Sequence, residues 1–171
     1  MNTKDNISPA SVSQDIAPSL VSVKTRHLFT MRLRVPPLYV VGETPDTFRR
    51  IGVVQGGSFE GERLSGEILP GGNDWQSVRK DNCTKLDVRL PLKTVDGALI
   101  VMAYHALRAG PPDVMERLNK GDHVDAATYY FRLSALFETG SEKYGWLNRI
   151  IAVGIGDRLP DGPVYSVFEV L

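Results

Sequence analysis

The residues best suited to chemistry begin with a carboxylate beside a large aromatic side chain, Asp74-Trp75, directly after the glycine-rich segment 70–73. Burial of a carboxyl group against an indole disfavours its charged form and raises its pKa, which can make it a general acid or base near neutral pH. In the alternative interpretation, Asp74 caps the turn while Trp75 fills the core. We take Asp74 as a candidate catalytic residue and Trp75 as a candidate ligand-binding residue.

A second candidate pair, Asp87 and Arg89, lies two residues apart in a segment of alternating apolar and polar residues. In a β-strand, side chains two positions apart point to the same face, so the two charged groups can pair. On an outward face the pair is solvated and contributes little, whereas inside a barrel it is a buried ion pair that is costly unless it functions. The sequence leaves the direction open, and both residues are candidates for ligand binding.

The largest predicted set of pocket residues consists of two pairs, each on one face of a predicted strand: Tyr130 with Arg132, and Trp146 with Asn148. The two strands are expected at 128–134 and 146–153. Phenol, guanidinium, indole and carboxamide groups offer directional hydrogen bonds among aromatic walls, as small-molecule pockets do. Arg132 would anchor an anionic oxygen of the ligand and act as a catalytic residue. In the alternative interpretation, the four side chains only satisfy one another in an internal polar network.

The three histidines, His27, His105 and His123, lie far apart and show none of the short spacings typical of metal sites. We therefore predict no metal site. His105 comes near the end of a predicted strand and is a candidate catalytic residue at the rim of the pocket. The segment Gly154-Ile155-Gly156 lacks the strand–helix unit of a dinucleotide-binding loop, and no Walker pattern is present, so we predict no cofactor.

Short strands separated by tight turns must position these residues. Apolar and polar residues alternate at 29–35, 64–68 and 86–92, which is the period of a strand with two different faces. Asp96-Gly97 predicts a type I′ hairpin turn, and the segment 112–121 predicts one short helix. About nine strands, with turn signals roughly every 8–15 residues, favour an all-β fold. We predict a single antiparallel β-barrel, because closure removes exposed sheet edges.

Composition and charge limit the class of protein. The 171 residues fit one domain, and the 42% hydrophobic residues are ordinary for a globular protein. Twenty basic and twenty acidic residues give a net charge of zero, which argues against nucleic acids and membranes as partners. No stretch is apolar enough for a membrane span, and the single cysteine, Cys83, fits a reducing compartment, so we expect a cytoplasmic protein. Residues 1–24 predict a flexible leader before a barrel domain at 25–171.

Three segments carry a resemblance to a known family: GGSFEGERLSGEILPGGNDWQSVR, LDVRLPLKTVDGALI and YYFRLSALFETGSEKYGWLN. In this order they resemble the bacterial and fungal DUF3237 family, also called UPF0311, and the resemblance extends over residues 28–170. It implies a single β-barrel of lipocalin-like or streptavidin-like form, often a homodimer, but no agreed activity. The chain departs from the family at Ala103-Tyr104-His105-Ala106 and at Cys83, so its ligand can differ from those of its relatives.

Together these residues predict a barrel that binds a small molecule. We expect a cofactor-independent enzyme of the lyase, hydratase or isomerase type, acting by acid–base chemistry on a small aromatic or carbonyl compound. In that scheme Asp74 or His105 transfers a proton, and Arg132 stabilises charge together with Tyr130. A non-catalytic carrier or sensor with the same barrel is the alternative, and a cavity lined only by aromatic and amide groups would favour it.

Overall fold

Strands dominate the computed structural model of the protein, which describes residue 17 and residues 20–171. Residues 1–16, 18 and 19 of the predicted leader lie outside the described residues. The strands are β1 (Thr25–Arg34), β2 (Tyr39–Glu43), β3 (Phe48–Val54), β4 (Gly56–Glu60), β5 (Gly66–Ile68), β6 (Gly72–Val78), β7 (Thr84–Thr94), β8 (Leu99–Ala109), β9 (Tyr130–Glu138), β10 (Ala152–Leu159) and β11 (Gly162–Val170). Helix α1 spans Pro112–Lys120, and short 3-10 helices span Ala126–Thr128 and Gly145–Arg149.

Eight of these strands close into an antiparallel barrel. Their hydrogen-bonded order is β7–β5–β4–β1–β11–β10–β9–β8, and β8 pairs again with β7. The other three strands, in the order β2–β3–β6, form an extension of the barrel wall. This extension shares one edge of β7 with β5, since β6 pairs with residues 84–89 and β5 with residues 92–94. The predicted all-β fold with a single antiparallel barrel is confirmed.

Alternation along the strands sorts side chains between the barrel interior and its outer surface. On β7, every second residue from Thr84 to Thr94 is buried, and the residues between them are exposed or half-buried. Three buried rings pack together inside the barrel: Phe59 and Phe137 have centroids 5.5 Å and 6.2 Å from that of Phe29. Such close packing of large apolar side chains supplies much of the stability of a domain of this size.

The hairpin at residues 94–98 and the short helix lie where the sequence places them. Gly97 has φ 89°, and its N–H donates to the carbonyl of Thr94 at 2.9 Å. The N–H of Thr94 donates to the carbonyl of Ala98 at 2.9 Å, so the loop has three residues, 95–97. The predicted type I′ turn is wrong, because only the glycine takes the left-handed conformation and Asp96 does not. Helix α1 ends as predicted at Gly121. Among residue 17 and residues 20–171, no helix has the length and apolar character that crossing a membrane requires.

The strand predicted at 146–153 differs most from the structure. Its first half is the 3-10 helix Gly145–Arg149, and β10 begins only at Ala152. A helical turn directs Tyr144 and Leu147, three residues apart, into the core, where they are 3% and 0% exposed. The ring of Trp146 instead stacks against Arg63, whose guanidinium carbon lies 3.5 Å from the ring centroid.

Candidate functional site

A cavity of about 1010 Å³ lies between one end of the barrel, the β2–β3–β6 extension and the C-terminal end of α1. Apolar and aromatic side chains of the barrel form the cavity floor: Leu86, Tyr104, Phe131 and Tyr165. Polar side chains line the walls: Arg50, Asp74, Gln76, Arg108 and Arg158. A concave site that combines apolar and aromatic side chains with convergent polar groups is typical of small-molecule binding.

Asp74 combines burial with an unpartnered oxygen. It lies on β6, faces the cavity and is 8% exposed. Its Oδ2 accepts a hydrogen bond of 2.6 Å from Nε2 of Gln76, while its Oδ1 is buried and has no partner among the described residues. Burial raises the pKa of Asp74 to about 6, although the Gln76 bond and the charges of Arg108 and Arg50 oppose the rise. Asp74 can therefore change its protonation state near neutral pH.

Trp75, the neighbour of Asp74, lies on the other side of the sheet. Because β6 is a regular strand, adjacent side chains point to opposite faces. Trp75 is 44% exposed, and its Nε1 donates to Oδ1 of Asn73 at 2.8 Å. The indole therefore neither fills the core nor lines the cavity, which corrects both interpretations of Trp75 drawn from the sequence.

Three arginines, each on a different strand, line the cavity. Arg108 comes from β8 and is 4% exposed, Arg50 comes from β3, and Arg158 comes from β10. Nε of Arg108, and Nε and Nη2 of Arg50, are buried without a hydrogen-bond partner in the described part of the chain. Burial lowers the pKa of Arg108 to about 10, and repulsion from Arg50 and Arg158 adds to this effect. The site therefore holds one buried arginine, Arg108, and two partly buried ones, Arg50 and Arg158, around the carboxylate of Asp74.

Two tyrosines of the cavity floor form a hydrogen-bonded pair. The hydroxyl of Tyr104 donates to that of Tyr165 at 3.4 Å, and their ring centroids are 5.6 Å apart. Burial raises the pKa of both phenols, so both remain neutral donors at neutral pH. Gly156 makes room for this floor, because a Cβ at that position would lie 2.6 Å from Phe131 and 2.7 Å from Tyr165.

Sequence reasoning missed most of these wall and floor residues. Arg108 could have been found, because it continues the alternating series of Met102, Tyr104 and Ala106 on β8. Arg158 follows Gly154 and Gly156 at alternate positions of β10, but two glycines give no sign of an inner face.

His105, Asp87 and Arg89 lie together on the outer surface. Nη1 of Arg89 donates to Oδ1 of Asp87 at 2.9 Å, and Nδ1 of His105 lies 3.8 Å from the same oxygen. The side chain of His105 is 75% exposed, that of Asp87 is 44% exposed and that of Arg89 is 61% exposed. The sequence left open whether Asp87 and Arg89 face the barrel interior or solvent, and in the structure they face outward. The predicted place of His105 at the pocket is wrong, because strand alternation turns Tyr104 inward and His105 outward.

Tyr130 and Arg132 lie on the outer face of β9, whose inner face is taken by buried Phe131 and Leu133. Tyr130 is 53% exposed, and the guanidinium carbon of Arg132 lies 5.1 Å from its ring centroid. Nη1 of Arg132 donates to the carbonyl of Phe131 at 3.0 Å. The prediction that Arg132 anchors a ligand inside the barrel is therefore wrong in its geometry.

Trp146 and Asn148 do not join Tyr130 and Arg132 in one pocket either. Both lie on the 3-10 helix Gly145–Arg149. Oδ1 of Asn148 accepts from the N–H of Thr139 at 2.8 Å, and its Nδ2 donates to the carbonyl of Thr139 at 2.9 Å. Asn148 therefore satisfies the backbone beyond β9, and the shared pocket predicted for the four side chains is not formed.

Comparison with known proteins agrees with this architecture. A UPF0311 protein from Rhodopseudomonas palustris is 34% identical over 150 residues, covering 88% of this chain and 98% of the relative. Its crystal structure has a TM-score of 0.85, with 88% and 99% of the two chains covered. A beta-barrel like protein from Acinetobacter baumannii is 36% identical with a TM-score of 0.77, covering 88% of this chain and 97% of that protein.

A more distant relative carries the name of an enzyme. A hydroalkoxylation enzyme from Penicillium herquei is 26% identical over 132 residues, covering 77% of this chain and 73% of the relative. The family described as "Protein of unknown function (DUF3237)" matches residues 23–170. The chain therefore belongs to the DUF3237 family.

Proposed function

We propose that the protein is an acid–base enzyme that adds an O–H group across an activated carbon–carbon double bond, or reverses such an addition. The observation that carries this proposal is the position of Asp74, whose unpartnered Oδ1 belongs to a carboxyl group facing the cavity with a pKa of about 6. Such a group can both accept and return a proton near neutral pH. The distant hydroalkoxylation enzyme from Penicillium herquei supports this class of reaction.

In the proposed addition, the ionised Asp74 accepts the proton of a substrate hydroxyl. An electron pair of that oxygen forms the new C–O bond, and the π electrons of the double bond move to a conjugated carbonyl oxygen, which becomes an enolate. The nearby arginine charges, Arg108 above all, stabilise that negative charge in a buried site. Asp74 then returns the proton to the carbon next to the carbonyl, so no atom is gained or lost.

The hydrogen bond from Gln76 leaves one oxygen of the carboxylate for this chemistry. Nε2 of Gln76 binds Oδ2, so Oδ1 is the oxygen available to the substrate proton. The aromatic floor, with Phe131 and Tyr165 buried at 0% exposure, excludes water from one side of the site. A dry environment strengthens the electrostatic stabilisation of an enolate, because fewer solvent dipoles screen the charge.

The proposal is tested with 2′-hydroxychalcone, whose phenol adds to its own enone to form flavanone. We expect the wild-type protein to accelerate ring closure, and Asp74→Asn to lower the rate by about 100-fold or more, the usual contribution of a general acid–base group. Arg132→Met is the matched control on the outer surface and should keep the wild-type rate. If neither this compound nor a panel of other hydroxy enones reacts faster with wild type than with Asp74→Asn, the proposal is wrong.

A carrier or sensor is the second candidate, and the partly exposed apolar lining at Val35, Pro36 and Leu38 favours it, since such a surface binds ring systems without reacting with them. In that case the protein would return the bound compound unchanged. Mass spectrometry of a compound released after long incubation separates the carrier from the enzyme.

A further inference from the structure

We infer that the cavity selects an aromatic anion, and that the negatively charged oxygen of this anion binds between Arg108 and the Tyr104–Tyr165 pair. The inference deepens the proposed function and rests on it for the choice of site. It names the substrate class, namely aromatic hydroxy acids and phenols acidified by a neighbouring carbonyl group.

The first observation is a local excess of positive charge. The chain as a whole is neutral, with twenty basic and twenty acidic residues. The lining of the cavity, by contrast, carries an excess of positive charge. Five basic residues line it, against two acidic ones: Arg34, Arg50, Arg108, Lys120 and Arg158 against Asp74 and Asp161. Like charges in a partly desolvated site repel one another, so an anion among them gains attraction and relieves that repulsion.

The second observation is the set of unpartnered donors. Arg108 is 4% exposed, and its Nε has no hydrogen-bond partner among the described residues. Arg50 uses Nη1 to donate to Oδ1 of Asn119 on helix α1 at 3.3 Å, which leaves its buried Nε and Nη2 without partners there. A buried donor without an acceptor costs free energy, and the planar guanidinium matches the paired oxygens of a carboxylate. An anionic ligand supplies the missing acceptors.

The third observation is a neutral donor in the cavity floor. Tyr104 gives its hydroxyl proton to Tyr165, so the proton of Tyr165 is free for another acceptor. Tyr165 and Arg108 both pack against Phe131: the centroids of the Phe131 and Tyr165 rings are 5.1 Å apart, and the guanidinium carbon of Arg108 lies 5.5 Å from the Phe131 centroid. An oxygen bound between them would receive one charged and one neutral hydrogen bond, which favours a phenolate, enolate or carboxylate over an uncharged oxygen.

The apolar part of the cavity lining favours an aromatic anion over a compact inorganic one. Val35, Pro36 and Leu38 line the cavity and are only partly buried, so their side chains are accessible to a ligand. An aromatic ring can pack against these side chains, whereas phosphate or sulfate gains nothing from them.

The experiment compares two probes that differ in one charge, 1-hydroxy-2-naphthoate and its methyl ester, by isothermal titration calorimetry at pH 7. We expect the acid to bind wild type at least tenfold more tightly than the ester. Arg108→Met should remove most of that preference, and Tyr165→Phe, which deletes a single hydroxyl, should weaken binding of the acid severalfold. Arg89→Met, on the outer face of β7, is the matched control and should behave as wild type.

Equal affinity for the two probes, or no binding of the acid, overturns the inference. The comparison of probes on wild type needs no variant, so a failure of Arg108→Met to fold does not affect it. Binding is measured without turnover, and the two proposals therefore fail separately. A charge preference without any conversion of hydroxy enones contradicts only the enzyme, whereas conversion without a charge preference contradicts only the anion site.

Discussion

Oδ2 of Asp74 accepts a hydrogen bond of 2.6 Å from Nε2 of Gln76, the next residue on the same face of β6. A hydrogen bond to the charged form of a carboxyl group favours ionisation, so this contact limits the rise in pKa that burial of Asp74 causes. It also fixes the orientation of the carboxylate, with Oδ1 free for a ligand. Gln76 is thus a positioning residue, since it acts through Asp74.

We predict that Gln76→Met raises the pKa of Asp74 above its value of about 6, because a side chain of similar length without a donor removes the bond that favours the carboxylate. Titration of the carboxyl carbon of Asp74 by nuclear magnetic resonance measures the change. Ser77→Ala, at the next position of β6, is the control and should leave the midpoint unchanged. A midpoint that stays the same or falls in Gln76→Met would show that the bond does not stabilise the charged form.

The pH dependence of stability provides a second prediction. Burial raises the pKa of Asp74 from 3.8 to about 6, so the folded protein binds this proton more tightly than the unfolded chain does. This contribution to stability is complete below about pH 4 and is lost as the pH rises to about 6. The loss is on the order of 3 kcal/mol, from about 1.4 kcal/mol per pH unit over about two units.

Asp74→Asn removes that titration. We expect the free energy of unfolding of the variant, relative to wild type, to increase between pH 4 and pH 7 by about 2–3 kcal/mol. Urea unfolding at both pH values measures it, and carboxylates outside the site cancel in the comparison. A difference between the two proteins that does not change with pH would mean that Asp74 ionises normally in the fold.

Strand alternation can be read from the sequence, but the face that becomes the interior cannot. The pattern around Asp87 and Arg89 predicts correctly that they share a face, and only closure of the barrel shows that this face is outward. The same holds for Tyr130 and Arg132 on β9. The sequence singles out Asp74 by its neighbour Trp75, but the indole lies on the opposite face of β6 and does not bury the carboxylate. Arg108 is separated from Asp74 by 34 positions in the chain, so no local pattern links the two.

The strand predicted at 146–153 fails for a different reason. Apolar residues at Leu147 and Ile151 fit the period of a strand, but their burial differs, since Leu147 is 0% and Ile151 is 57% exposed. A short helical turn buries Leu147 together with Tyr144, because tertiary packing overrides the local strand pattern. Because residues 145–149 form a 3-10 helix and not a strand, Trp146 and Asn148 do not form the predicted pocket.

Gly156 offers a test of the cavity floor. A Cβ at this position would lie 2.6 Å from Cδ1 of Phe131 and 2.7 Å from Cε1 of Tyr165, so Gly156→Ala must displace one of the rings. We expect a loss of about 1–3 kcal/mol in the free energy of unfolding, the usual effect of overpacking a core. Gly140→Ala is the control, because a Cβ there has no heavy atom within 4 Å. Equal stability of the two variants would show that the floor can adjust.

The last prediction links the anion to the carboxylate. An anion bound beside Asp74 disfavours a second negative charge, so its binding should raise the pKa of Asp74 and draw a proton from solution near pH 6–7. Calorimetric titrations of 1-hydroxy-2-naphthoate in buffers with different ionisation enthalpies measure this uptake as a slope. We expect a fraction of a proton taken up by wild type at pH 6.5, and none by Asp74→Asn. Arg89→Met should match wild type, while an uptake that persists in Asp74→Asn would place the titrating group elsewhere than on Asp74.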